Sequence, residues 1–324
     1  MLEQQEMLWD YDTVKPGQAG QPTLVSITNE NIADYARLSQ NPEYNGGSVA
    51  MPTMVISYAP LLRDDIAENN GFVALEQSKT ARRQTPFAKC EARWFKPVQA
   101  GDVITGNRQV FEKYERRDSQ FVVFRIEATN QHGEKVAEYD YTCIFEYAKG
   151  QRPVPNESAA PEPSPAAMTP IPTKLLSYES ASVGDQLATL SITESQEIIN
   201  SKNEFRLAGK VHASNIHTDE EFARQNIFGG TVNAGPATMS YVDQMLQRSF
   251  PLNAFYNGGK LLMRAITPFR SGNTVTFQGE ITAKRENTLV PPSGNGGTLE
   301  CRVKGTNQRG ELVCLADATL VMAG

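Results

Sequence analysis

The feature that most constrains the fold of this 324-residue chain is that it is written twice. The segment "GGSVAMPTMVISY" at 46–58 returns as "GGTVNAGPATMSY" at 229–241. In the same order, "PVQAGDVIT" (97–105) answers "PFRSGNTVT" (268–276), and "ATNQHGEKV" (128–136) answers "GTNQRGELV" (305–313). Three matched blocks in one order imply two copies of a single unit. Between them runs "RPVPNESAAPEPSPAAMTPIP", whose Pro, Ser and Ala content reads as an extended, solvated connector. The expected division is an N-terminal unit over 1–150, a Pro-rich linker over 151–173 and a C-terminal unit over 174–324, each near ordinary single-domain size.

Both copies follow one coarse pattern: a helix-containing region, a Gly-Gly turn, a longer helix, then strands. In the second copy Pro236 suits the first helical position, and Met239, Val242 and Leu246 follow at helical spacing. Pro52 plays the same part in the first copy, where Pro60 is expected to kink or shorten the helix. The runs "QFVVFRIEATNQ" and "EKVAEYDYTCIFEY" flank the turn "NQHGE", and "LECRVKGTNQ" and "ELVCLADATLVM" flank "NQRGE", as strands of two hairpins. A long antiparallel sheet around a central helix, made twice, is an α+β architecture.

Composition narrows the partners. A net charge of −6 and a pI near 5.3 argue against nucleic acid, because tracking a phosphate backbone needs a basic excess. No apolar run approaches the ~20 residues that span a bilayer, and the start "MLEQQEMLWDYDTVKPGQ" lacks the basic-then-apolar pattern of a secretory signal. Cys90, Cys143, Cys301 and Cys314 are scattered without metal-ligand spacing, which reads as a reduced, cytoplasmic protein with no metal site.

Only three histidines are present, and two of them, His212 and His217, fall within "GKVHASNIHTDEEFARQ" (209–225). Thr218 and Glu221 have the spacing of a capping box that starts a helix at Asp219. His217 would then sit just outside the helix, where an imidazole titrating near pH 6.5 accepts and returns protons at neutral pH. A surface or capping histidine fits the same position. His212, five residues away, would point to a different face of any regular helix or strand, so only an irregular loop brings the two together. Ser214 and Asn215 serve either to hold water and orient an imidazole or simply to furnish a polar loop. The third histidine, His132, lies in a hairpin turn.

The order of these blocks, the helix-opening glycine, the "P…G" turn strands and the segment "SNIHTDEEFARQNIFGGTVNAGP" resemble the MaoC-like hydratase family. These are double hotdog proteins that include (R)-specific enoyl-CoA hydratases and dehydratases. The resemblance covers nearly the whole chain and matches at His217, Ala223 and Gly235. It departs where the family carries an aspartate before the histidine: an ungapped match puts His212 there, and a one-residue deletion puts Ala213. The resemblance implies a double hotdog fold and a hydro-lyase acting on an enoyl-CoA-type thioester in fatty acid metabolism. His217 would carry the proton, with His212 and Asn215 beside it, and the Gly235 N–H would donate to the developing oxyanion. Ser214, Asn233, Lys260 and Arg264 become candidates to contact the substrate, the last two at coenzyme A phosphates. No cofactor is implied beyond coenzyme A as part of the substrate and no metal, and both a monomer and a homodimer fit it. Loss of the aspartate leaves a thioesterase, an isomerase, a cyclase or a non-catalytic acyl-thioester binder open. The first copy has "LSQNPEYNGG" where the second has its histidine segment, so it is expected not to catalyse and to make room for the acyl group.

Overall fold

A computed structural model of the chain describes residues 6–149, 168–212, 214–286 and 296–322. Most of the Pro-rich linker, 150–167, therefore lies outside the described residues. The N-terminal copy runs β1 (Leu8–Trp9), β2 (Thr23–Ser26), α1 (Asn29–Leu38), a 3-10 turn (Pro52–Met54), α2 (Val55–Tyr58), α3 (Arg63–Asn69), β3 (Val73–Ala74), β4 (Phe87–Trp94), β5 (Val103–Arg116), β6 (Ser119–Thr129) and β7 (Lys135–Glu146). The C-terminal copy runs β8 (Leu190–Thr193), α4 (Gln196–Glu204), α5 (Glu220–Arg224), α6 (Gly235–Gln247), a 3-10 turn (Leu252–Phe255), β9 (Gly259–Ala265), β10 (Thr274–Glu286), β11 (Gly297–Asn307) and β12 (Leu312–Met322).

Alternating buried and exposed residues along these strands place one face of the sheet on a core and the other toward solvent. All strands except β1 and β3 join one ten-stranded sheet in the order β2-β5-β6-β7-β4-β9-β12-β11-β10-β8. The order is mirror-symmetric about an antiparallel β4–β9 seam, where Cys90 pairs with Met263 and Ala92 with Leu261. The duplication is visible in the backbone too. Gly101 and Gly272 in the "P…G" turns, and Gly133 and Gly310 in the hairpins, all hold positive φ, which a residue with a Cβ adopts only at a cost.

The two central helices differ. α6 is buried from Thr238 to Leu246, with Tyr241, Met245 and Leu246 packed under the sheet. Its N-terminal counterpart stops at Tyr58, because Pro60 lacks the N–H and disfavours helical backbone at Ala59, which turns to φ −130 and ψ 69. The chain becomes helical again at α3. The helices meet where Asp243 of α6 accepts from the Thr53 amide at 3.0 Å and hydroxyl at 2.7 Å. One continuous apolar core spans both units, from Trp9 and Phe124 to Phe277 and Leu320. No helix among the described residues is long and apolar enough to cross a membrane.

Candidate active site

The break after Tyr58 opens a cavity of about 810 Å³ between the two units. Ile56, Pro60, Leu61 and Leu62 line it from the N-terminal unit, and His212, His217, Asn233 and Pro236 from the C-terminal unit.

His217 is fixed on three sides. Its backbone N–H donates to Asn215 Oδ1 at 2.8 Å, its carbonyl accepts from Gln196 Nε2 at 2.8 Å, and its Nδ1 lies 2.8 Å from the Val232 carbonyl oxygen. A carbonyl can only accept, so Nδ1 carries the proton and Nε2 keeps its lone pair. Burial lowers the imidazole pKa below its usual value, and the Arg206 and Arg63 guanidiniums push the same way against the Val232 carbonyl. The ring is therefore neutral at pH 7, with one basic nitrogen in the cavity wall.

The capping box expected at Thr218 and Glu221 does not form. Asp219 caps α5 instead, its carboxylate accepting from the Phe222 amide at 3.0 Å, and the Thr218 hydroxyl is buried without a partner. The helix starts one residue later than the box requires, so the N-cap role and the Phe222 amide fall to Asp219. Ser214 lines the cavity with its hydroxyl bound to Asp219, and Asn215 bridges the His212 carbonyl (3.0 Å) and the His217 amide.

Gly235 begins α6. A Cβ there would lie 2.1 Å from Phe87 Cδ1, so the aromatic ring of β4 packs directly on the helix start. Among the described residues the Ala234 and Gly235 N–H groups have no acceptor, and Ala234, Pro236 and Ala237 line the cavity. Asn233 lines it too, with its amide donating to Glu194 at 2.7 Å. The Glu194 carboxylate also takes Tyr241 Oη (2.7 Å) and Lys202 Nζ (3.0 Å), and Lys202 reaches the cavity surface. Burial lowers the Lys202 pKa, partly offset by Glu194.

Lys260 and Arg264 are elsewhere: both sit on β9 outside the cavity lining, Lys260 exposed and Arg264 paired with Asp317 at 2.8 Å. Arg270 holds the loop before α6 through the Phe228 and Thr231 carbonyls. The basic groups that do line the cavity include Lys79, Arg82, Arg206 and Lys210, none of which stands near a repeat block. Asp64, Arg63 and Glu76 reach it from the N-terminal unit and also escaped sequence reasoning. In "LLRDDIAENN" the only legible signal at Asp64 is a helix start, which is where it lies. Among the described residues no group of three or more His, Cys, Asp or Glu converges as a metal site.

No family model matches the sequence, and no curated protein matches it. Solved structures do match in fold. A MaoC-like dehydratase superposes with a TM-score of 0.64 at 17% identity, covering 94% of this chain and 98% of that one. A MaoC-like dehydratase from Phytophthora capsici gives 0.59 at 15% identity, covering 94% and 95%. A Mycobacterium tuberculosis protein described as a double hotdog gives 0.58 at 13% identity, covering 96% and 98%. At these identities what is shared is the fold.

Proposed function

The chain has the double hotdog fold found in MaoC-like dehydratases, and from that premise we propose that it belongs with them as a hydro-lyase acting on an enoyl thioester, carried as a coenzyme A ester. The observation that carries this reading is His217: a neutral imidazole whose tautomer is set by Val232 and whose free Nε2 belongs to a cavity wall that continues into the start of α6.

The chemistry needs those two features together. Water adds to the β-carbon as a base takes its proton, and the conjugated π electrons move onto the thioester oxygen. His217 Nε2 is the base. The unpaired Ala234 and Gly235 N–H groups, with the positive end of α6 behind them, donate to the oxygen as charge develops. In the dehydration direction the same groups act in reverse. Water is added without net oxidation or reduction, so the proposed reaction calls for no redox group. The apolar wall from Ile56 to Leu62 receives the acyl chain, and Lys79, Arg82 and Lys210 supply the charge that coenzyme A phosphates require.

The test follows the ultraviolet band of the conjugated thioester with linear and branched enoyl-CoA substrates. The wild type is expected to bleach the band, and His217→Ala to lower the rate by about 10²- to 10⁴-fold. Thiol release without prior loss of the band would assign a thioesterase instead. No change across the panel with intact folding would reject turnover.

A further inference from the structure

Hydration moves two protons, one off water and one onto the α-carbon, and His217 Nε2 accounts for one. Among the described residues two carboxylates line the cavity, Asp64 and Glu76. Glu76 is committed to Arg63 at 3.0 Å and to the Thr85 hydroxyl and amide. Among the described residues no Lys or Arg stands within ion-pair distance of Asp64. Its Oδ2 accepts from Gln77 Nε2 at 3.2 Å and stands 3.4 Å from His212 Nε2. Asp64 belongs to α3 of the N-terminal unit and His212 to the loop of the C-terminal unit, so this contact crosses between copies.

We propose that the active site is assembled from both units, with His212 as the second proton-transfer group and Asp64 as the positioning residue that orients its ring. This rests on the hydro-lyase reading. Asn215 fixes the two histidines in one loop, bonding the His212 carbonyl and the His217 amide with opposite ends of its side chain. The His212 side chain is 46% exposed, which lets it exchange protons with water, whereas His217 is locked. Lys79, Arg82, Arg206 and Lys210 share the cavity, and Asp64 is the lining carboxylate that stands against His212. Burial alone would raise the Asp64 carboxyl; the His212 contact and the Asp64 and Asp65 backbone amides more than reverse it. A carboxylate serving only the first turn of α3 would need neither Gln77 nor His212.

The step balances. His217 Nε2 takes a proton from water, the water oxygen bonds the β-carbon, and the π pair passes to the thioester oxygen as enolate. The enolate collapses as its α-carbon takes a proton from His212 Nδ1, while Nε2–H stays on Asp64. His217 then gives its proton to solvent and His212 regains one, so the net addition is one water.

Two measurements on the full chain test this. The first is the nuclear magnetic resonance titration of the three imidazoles in the wild type and in Asp64→Asn, with exposed His132 as internal reference. The second is the kinetics of enoyl thioester hydration. Asp64→Asn is expected to move the His212 midpoint to lower pH, leave His132 in place, and cut kcat about tenfold or more with KM within about threefold. Asp64→Glu should recover part of kcat, and His212→Gln should cost about 100-fold. An unmoved His212 midpoint overturns the pairing whatever the activity, and Asp64→Asn kinetics within twofold of wild type overturn the catalytic role. A shifted midpoint in a protein that hydrates no thioester leaves the contact real but removes both the hydro-lyase reading and the role assigned to His212.

Discussion

Replacing Asp243 with asparagine should make this protein relatively more stable as pH rises. Asp243 is fully buried where α6 meets the N-terminal unit, and both its oxygens are taken: Oδ2 by the Thr53 amide and hydroxyl, Oδ1 by Gln247 Nε2 at 2.7 Å. Burial pushes its carboxyl up to about 6 against the lowering pull of Thr53 and Gln247. From an ordinary value near 3.9 this is about two units, or about 3 kcal/mol, by which the charged form is disfavoured in the fold. A raised carboxyl pKa means the folded state binds the proton more tightly. The stabilisation is complete at pH below the unfolded value and is lost as pH climbs through about 6. Asparagine fits without a charge: its Oδ1 keeps the Thr53 donors, and its Nδ2 meets Gln247 once that amide turns over. Between pH 4 and 8 the unfolding free energy of Asp243→Asn relative to wild type should therefore rise by about 2 kcal/mol. The assay is urea unfolding at a series of pH values, followed by the fluorescence of Trp94, whose indole N–H bonds the Pro52 carbonyl beside Thr53. A wild-type-to-variant difference that stays flat across that range, or moves the other way, would refute the reasoning.

Gly235→Ala should destabilise the fold by about 1–3 kcal/mol through overlap with Phe87, and Phe87→Ala in the same chain should return part of that loss in thermal unfolding. Because burial lowers the His217 pKa, kcat/KM for hydration should hold its value from pH 7.5 to 6.5 and fall only below the ordinary imidazole range; a decline beginning near pH 7 counts against His217 as the base. The combined Lys79→Ala and Lys210→Ala variant should raise KM for a coenzyme A thioester several-fold and leave the pantetheine thioester unchanged, with the difference shrinking in high salt.

Local signals were legible and distant ones were not. Pro60 ended the first central helix as its missing N–H required, and both "NQ-G" turns formed hairpins, because each is decided within a few residues. His217 shares the cavity wall with Ala234 and Pro236, the neighbours of Gly235, for the same reason, since Val232 lies only fifteen positions from His217 along the chain. Thr218 misled because two capping side chains stood next to each other and sequence does not say which reaches the amide. Lys260 and Arg264 lie a few residues before a repeat block in the sequence, but strand pairing places both on β9 outside the cavity, with Arg264 against Asp317. Asp64 could not be found from its surroundings at all. Its relevance depends on α3 of one unit meeting the loop of the other, a contact set by how the sheets join.

That join has a consequence during synthesis. Cys90 and Met263 face each other across the seam but lie roughly 170 residues apart, so at ordinary elongation rates the ribosome delivers β9 on the order of ten seconds or more after β4. Until then one long side of β4 is a nascent, sticky border open to any neighbouring chain. Lys89, Glu91 and Arg93 alternate along that border. Charges on an open edge disfavour pairing with strangers, and in the finished sheet Lys89 stands opposite Arg264 and Arg93 opposite Lys260, like-charged neighbours that are relieved only once Asp317 engages Arg264 and Glu91 engages Arg93.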